Sequence, residues 1–365
     1  MNGLIFIGGL ALLIAGAEVL VKGAVRFAAG AGISPLVTGL TVVAFGTSSP
    51  ELAVSIKSAL DGEAGIAMGN IIGSNIFNIL FILGIAALIT PLTVSQKLIR
   101  FDVPLMIGAS ILVLILAMDG RISRIEGITL FTGLILYTGF LILESRGESS
   151  AVREEYAGKY GMAPASSFAA LCVNLTLITC GLGMLVMGSK VLVDSAVAIA
   201  HLLDISELII GLTIIAVGTS LPEVLTSIVA SMHGERDIAV GNIVGSNLFN
   251  ILCVLGISAA VAPAGIAVAD AVIRFDLLVM IAVACACFPI FFTHGEISRW
   301  EGGVFLGYYV VYTIYLIFSA TGHIAMPLLT TAMLYFVLPL TVITLIAVSL
   351  RFVKQSNGAG ESDNV

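Results

Sequence analysis

Charge is the scarcest property of this 365-residue chain: Asp, Glu, Lys and Arg make up 11% of it, against about 25% in a soluble domain. With 59% hydrophobic residues and a mean hydropathy of +1.12, a water-soluble globular fold is excluded. Basic tracts are missing as well, so no nucleic-acid partner is expected despite the net charge of −7. Histidine is rare, and His201, His233, His294 and His323 all fall in or near loops, which leaves no imidazole for a site at membrane depth. The five cysteines, Cys172, Cys180, Cys253, Cys285 and Cys287, lie in apolar runs at spacings that suit neither zinc nor a disulfide framework, so they read as small core residues. No Ser-His, Ser-Lys or His-x-x-x-His arrangement occurs within the runs. An enzyme would need such a nucleophile–base pair or a metal-bound water, so no enzyme is expected.

What the chain has is apolar length. A helix needs about 20 apolar residues to cross hydrocarbon. Runs of that kind lie near 3–21, 34–57, 67–90, 103–118, 125–143, 168–193, 206–231, 238–262, 277–293, 302–320 and 325–350. The expected fold is an all-α polytopic membrane protein with ten transmembrane helices and an extra C-terminal helix. The first run has no basic leader or small-residue cleavage site and reads as a retained helix. Placing the N-terminus outside puts eleven Lys and Arg residues on the cytosolic side and five outside. The positive-inside rule therefore predicts a multi-pass protein of the cell membrane with an extracellular N-terminus.

The runs fall into two copies. Gly39 to Glu51 (GLTVVAFGTSSPE) is nearly repeated as Gly211 to Glu223 (GLTIIAVGTSLPE), and Gly69-Asn70 recurs as Gly241-Asn242, each at an offset of 172. Leu10–Val25, Ile99–Asp102 and Gly120–Gly127 also find counterparts in Leu182–Val197, Ile273–Asp276 and Gly295–Gly302. Each half therefore holds five spans. Because five is odd, the second half enters the membrane from the opposite side, which makes two inverted five-helix repeats, an arrangement transporters use for alternating access. The predicted division is a first repeat at 1–143, a cytosolic linker at 144–166, a second repeat at 167–320, and an extra helix and tail at 321–365.

Within this frame two acids stand out. A carboxylate at membrane depth is costly, by about 2.5–3.5 kcal/mol on insertion scales, so the matched Glu51 and Glu223 require a counter-charge. Thr47 and Glu51 are four residues apart and are expected to share a helix face. Pro50 between them should break or kink the helix near residue 46 and free carbonyl oxygens. Thr219, Pro222 and Glu223 repeat the construction. In the third run Ser74 and Asn78 stand at i and i+4, matched by Ser246 and Asn250 in the eighth, while the pairs Gly69/Gly73 and Gly241/Gly245 would let another helix approach closely. Isolated Ser, Thr, Pro or Gly-xxx-Gly features have ordinary packing or backbone-bonding explanations; a duplicated intramembrane glutamate does not.

All these ligands are oxygens, which suits hard cations. Calcium takes about six to eight oxygens in flexible geometry and fits best, though sodium could use the same oxygens. Other charges read as structural: Glu18, Lys190, Lys22 and Asp194 as solvated or paired near helix ends, Asp102 and Asp276 as loop-to-helix junctions.

Taken together, Gly46-Thr-Ser-Ser-Pro-Glu51 with Gly69-Asn-Ile-Ile-Gly-Ser-Asn75, and Gly218-Thr-Ser-Leu-Pro-Glu223 with Gly241-Asn-Ile-Val-Gly-Ser-Asn247, resemble the two alpha-repeats of the calcium/cation antiporter superfamily, and most closely its prokaryotic sodium/calcium exchanger branch. The resemblance covers about residues 1–320. It implies that Glu51, Glu223, Thr47 and Thr219 hold calcium, the threonines through backbone carbonyls. It further implies that Ala44, Ser48, Ser74, Ala216, Ser220 and Ser246 contribute to flanking sodium sites, and that Asn78 and Asn250 line the central position. Many relatives have Asp where this chain has Asn250, and an amide adds no negative charge, so the resemblance implies neither potassium coupling nor a fixed sodium stoichiometry. It also implies a four-helix core across which the first and sixth helices slide. The expected activity is antiport of calcium against sodium across the lipid bilayer. A proton-coupled exchange on the same two glutamates is the alternative. The transported ions are the only ligands implied, with no cofactor, and the sequence names no protein partner.

Overall fold

The computed structural model describes residues 2–31, 33–147, 168–202, 216–292 and 295–323, together with 325, 327 and 331. Its helices are α1 (Asn2–Ala31), α2 (Pro35–Thr47), α3 (Ser49–Leu60), α4 (Ala64–Ile89), α5 (Leu98–Ala117), α6 (Arg124–Gly147), α7 (Phe168–Leu202), α8 (Ala216–Gly218), α9 (Leu221–Met232), α10 (Arg236–Val261), α11 (Val272–Phe291) and α12 (Arg299–Thr321). Eight of them are long and apolar enough to cross a membrane. The two expected spans that fall short are the signature helices, which are broken: α2 gives way to α3 at Ser48, and α8 to α9 at Ser220. Nearly all of run 325–350 and of the linker lie outside the described residues.

The helix starts follow local chemistry. Ser298 and Glu301 form a capping box at the head of α12, and Ser123 and Glu126 exchange the same bonds at the head of α6. Arg124 Nε donates to Ala260 O at 2.9 Å and Arg299 to Ile89 O at 3.4 Å, so each of these helices also satisfies a carbonyl at the C-terminal end of a helix from the other repeat.

Four two-residue strands reveal the symmetry. β1 (Leu92–Thr93) pairs antiparallel with β4 (Glu296–Ile297), and β2 (Arg121–Ile122) with β3 (Ile266–Ala267). The operation that relates the halves carries one pair onto the other. Yet β1 and β2 lie at opposite ends of α5, whose 20 residues span about 30 Å. The symmetry therefore exchanges the two membrane faces, as inverted repeats require.

α4 and α10 form the centre, with most of their residues buried. Ile71, Ile76, Ile79, Leu83, Ile243, Val244, Leu248 and Val254 anchor one large core there. A second cluster joins α1 and α7 through Leu13, Ala17, Leu20, Ile178 and Leu185. Glycines seven residues apart make that contact possible: a Cβ on Gly9 or Gly16 would lie 2.9 Å from a backbone nitrogen of α7, at Leu192 or Leu185, and one on Gly181 or Gly188 would strike Leu20 or Leu13. Outward-facing Leu4, Ile125, Leu136 and Leu143 are largely exposed, an apolar surface that only lipid would cover favourably.

Asp102 and Asp276 are not at loop junctions. They end the wide-turn segments Leu98–Asp102 and Val272–Asp276 inside continuous helices. Tyr137 donates to Asp102 at 2.8 Å and Tyr312 to Asp276 at 3.3 Å, which is how these acids are accommodated. Glu18, expected near an interface, lies 3.5 Å from His233.

Candidate ion-binding site

The first signature helix breaks at Ser48, two residues after the Gly46 carbonyl that the proline singles out, and the second breaks at the matching Ser220. Pro50 has no N–H to give the Gly46 carbonyl, and the chain leaves helical geometry at Ser48 (φ −84°, ψ 7°); Ser220 repeats this at φ −90°, ψ 7°. Thr47 therefore ends one helix and Glu51 opens the next, so the two do not share a continuous helix face. Backbone bonds run Ser48 N to Ala44 O and Leu52 N to Ser48 O in one half, and Ser220 N to Val217 O and Val224 N to Ser220 O in the other. Among the described residues, the carbonyls of Thr47 and Thr219 join neither ladder.

Both glutamates stand in the first turns of α3 and α9, where exposed peptide N–H groups favour negative charge. Both are 1% exposed. Their hydrogen bonds cross the symmetry axis: Ser48 Oγ donates to Glu223 Oε1 at 2.9 Å, and Ser220 Oγ to Glu51 Oε1 at 2.8 Å. Ser220 also lies 3.2 Å from Ser74 Oγ. Around them, Thr47 reaches Asn242 Oδ1 at 3.2 Å and Thr219 reaches Asn70 Oδ1 at 3.4 Å. Asn70 in turn donates to Glu51 O and Ser55 Oγ, and Asn242 to Ser227 Oγ. Hydrogen bonds thus join Glu51, Ser220, Ser74 and, through Asn70, Thr219 in one cluster, while Glu223 pairs with Ser48 and Thr47 with Asn242.

Asn78 and Asn250 open matched wide-turn segments, Asn78–Leu83 and Asn250–Leu255, a helix distortion frequent at functional sites. Asn78 Nδ2 donates to Asn247 Oδ1 at 3.0 Å and Asn250 Nδ2 to Asn75 Oδ1 at 3.3 Å. Ser246 is fully buried without joining these bonds. The Ala44 carbonyl already accepts the Ser48 N–H, and Ala216 begins α8. Gly241 and Gly245 meet expectation: a Cβ on Gly245 would lie 2.7 Å from Leu40 Cα. Gly69 and Gly73 meet no described neighbour, and residues 203–215, which would include the counterpart of the Leu36–Leu40 stretch, lie outside the described set.

Among the described residues, five of the buried oxygens without a hydrogen-bond partner belong to the expected site, Glu51 Oε2, Glu223 Oε2, Asn78 Oδ1, Asn250 Oδ1 and Ser246 Oγ; Asp102 Oδ2, Thr226 Oγ1 and Ser258 Oγ are also without one. Leaving a buried acceptor unsatisfied costs about 1–3 kcal/mol, and more for a charged one. No group of three or more His, Cys, Asp or Glu side chains occurs among the described residues. The donor set is therefore two carboxylates with amide, hydroxyl and carbonyl oxygens, a composition that fits a hard cation.

Several participants escaped the sequence reading. Asn70, Asn75, Asn242 and Asn247 sit in the duplicated Gly-Asn and Gly-Ser-Asn signatures, where duplication was the available signal. Ser55 and Ser227 match at the same offset of 172. Met106 and Met280, whose sulfurs lie 3.4 Å from Asn247 and Asn75, gave no signal, being apolar residues in apolar runs. Ser189 on α7 donates to the Gly218 carbonyl that Pro222 deprives of its helical partner. Its repeat counterpart is Ala17, which has no hydroxyl.

The family model for "sodium/calcium exchanger protein" matches residues 1–143 and 158–318. The inner membrane protein YrbG of Escherichia coli is 41% identical over 266 residues, 71% of this chain and 79% of that one. The sodium/calcium exchanger MaX1 of Methanosarcina acetivorans is 32% identical over 352 residues, 87% and 99% of the two chains. Among solved structures, the sodium-calcium exchanger NCX_Mj soaked with zero Na+ and Ca2+ superposes with a TM-score of 0.74 at 29% identity, covering 86% of this chain and 98% of its own. With its inverted helical repeats and its duplicated signatures, the chain is a membrane antiporter, not an enzyme, and belongs to the sodium/calcium exchanger family.

Proposed function

We propose that this protein exchanges calcium for sodium by alternating access, with calcium held between Glu51 and Glu223 and the Thr47 and Thr219 carbonyls. In this reading Ala44, Ser48, Ser74, Ala216, Ser220 and Ser246 serve the sodium positions, and Asn78 and Asn250 the central one. The observation that carries it is the pairing of each glutamate, through one oxygen, with a serine of the opposite half, while its other oxygen has no hydrogen-bond partner among the described residues. Two adjacent buried carboxylates repel each other, and a divalent ion between them neutralises both. Competition of sodium for the same oxygens would couple the two fluxes.

The N-terminus faces outward across the cell membrane in this reading. Residues 1–143 and 167–320 are the two inverted repeats, joined by the cytosolic linker 144–166 and followed by the 321–365 tail. The glycine seam between α1 and α7 supports their displacement as a pair against the core.

Purified protein in liposomes, loaded with sodium and given radiocalcium outside with the proton gradient collapsed by an ionophore, should take up calcium. Uptake that survives only with an imposed pH gradient would replace sodium by protons as the coupling ion.

A further inference from the structure

We propose that Asn75 and Asn247 are positioning residues that fix which end of the Asn250 and Asn78 amides faces the ion. The inference rests on the ion site proposed above. A side-chain amide presents an oxygen on one side and two N–H donors on the other, with nearly the same shape either way round. A cation accepts only the oxygen. Something must therefore decide the orientation of Asn78 and Asn250.

The decision begins at a sulfur. Met106 Sδ can accept a hydrogen bond but cannot donate one, and it lies 3.4 Å from Asn247 Nδ2. That contact turns the Asn247 amide so that its oxygen points away from the sulfur. The oxygen then accepts from Asn78 Nδ2 at 3.0 Å, which leaves Asn78 Oδ1 as the free end. The second relay is the same: Met280 Sδ faces Asn75 Nδ2 at 3.4 Å, Asn75 Oδ1 accepts from Asn250 Nδ2 at 3.3 Å, and Asn250 Oδ1 is left unpartnered. All six residues are buried, so these contacts are made within the protein interior. Each relay passes from one half of the chain to the other and back, through α5, α10 and α4 in the first case and α11, α4 and α10 in the second. The free oxygens of Asn78 and Asn250 are two of the five unpartnered ones at the site, so both relays end where the ion is placed.

The test is equilibrium radiocalcium binding to the purified full-length protein, with initial exchange rates in liposomes. Outer partners that orient a metal ligand are worth about 10–100-fold in affinity. Asn247→Leu removes the acceptor while keeping the volume, and should weaken calcium binding about tenfold with little change in the maximal exchange rate. Asn247→Asp keeps an acceptor for Asn78 and should lose much less. The decisive variant is Asn78→Asp in the Asn247→Leu background. A carboxylate presents oxygen whichever way it turns, so the penalty of Asn247→Leu should vanish there. An Asn247→Leu protein that binds calcium as tightly as the parent overturns the proposal, and so does a penalty that Asn78→Asp leaves intact, because that pattern belongs to packing alone. If Asn247→Leu does not yield a monodisperse protein, Met106→Leu frees the relay at its origin and should weaken binding in the same direction; unchanged binding there counts against the proposal. Normal calcium binding by the Glu51→Gln, Glu223→Gln double variant would instead overturn the ion site itself. Loss in that variant, combined with indifference to Asn247→Leu, rejects only the role of the asparagines.

Discussion

Ser48 and Glu223, 175 positions apart in the chain, are joined by a 2.9 Å hydrogen bond, and the symmetry-related serine, Ser220, returns the contact to Glu51. Each half of the protein thus holds the acid of the other, so neither half builds the site alone.

Removing one negative charge from this pair should abolish calcium binding. Glu51→Gln and Glu223→Gln are each expected to lower calcium affinity by at least about 100-fold, beyond the usual effect of losing an outer partner. Isotope counterflow in liposomes measures it. Normal flux in both variants would end the assignment of these acids to the ion.

The serines act through the acids. Ser48→Ala and Ser220→Ala leave both charges in place but remove a hydrogen bond to an ionised group, an interaction worth about 1.5–3 kcal/mol. Each should weaken calcium binding about tenfold while the protein remains folded by circular dichroism. Ser220→Ala is expected to cost somewhat more, because Ser220 also lies 3.2 Å from Ser74 Oγ while Ser246 has no such bond.

Gly245 has no room for a side chain. A Cβ there would sit 2.8 Å from the Leu40 carbonyl as well as against Leu40 Cα, and backbone cannot yield as a flexible side chain would. Gly245→Ala should destabilise by about 1–3 kcal/mol, read as a lower melting temperature in detergent. An unchanged melting temperature would show that α2 and α10 are not held this closely.

The glycine seam separates binding from movement. Gly16→Val would wedge α1 away from α7, where Leu185 N lies 2.9 Å from the added carbon. Because Gly16 lies outside the site network, exchange is expected to slow severalfold while equilibrium calcium binding changes little. Loss of binding in step with exchange would count against a separate moving pair.

Much of this architecture was written in the sequence because duplication reports on itself. The offset between Glu51 and Glu223 fixed the two halves, and five spans per half fixed their inversion, which the crossed pairing of Leu92 with Ile297 and Arg121 with Ala267 bears out. The acids were legible because charge is so rare in the apolar runs. The break at Ser48 was legible only to within a couple of residues, since Pro50 says which hydrogen bond is lost but not where the chain turns. Asp102 misled for a related reason: a charged residue beside an arginine reads as a boundary, and only Tyr137, 35 positions away, shows how it is kept inside a helix. Met106 was illegible, because its part depends on a lone pair facing Asn247 and not on hydrophobicity. Thr129 and Thr132 bond to carbonyls four residues back and are the plain backbone bonders expected of such residues, whereas Ser48 and Ser220 reach across to carboxylates. Only coordinates separate those two behaviours.

The hydroxyl of Ser189 sits on the carbonyl that Pro222 leaves bare, while Ala17 occupies the equivalent place beside the other signature. Trading the parts played by the two repeats cannot recreate that contact. A protein made of near twins is therefore handed, and under the exchange proposed above its two opposite-facing poses would not be mirror equivalents.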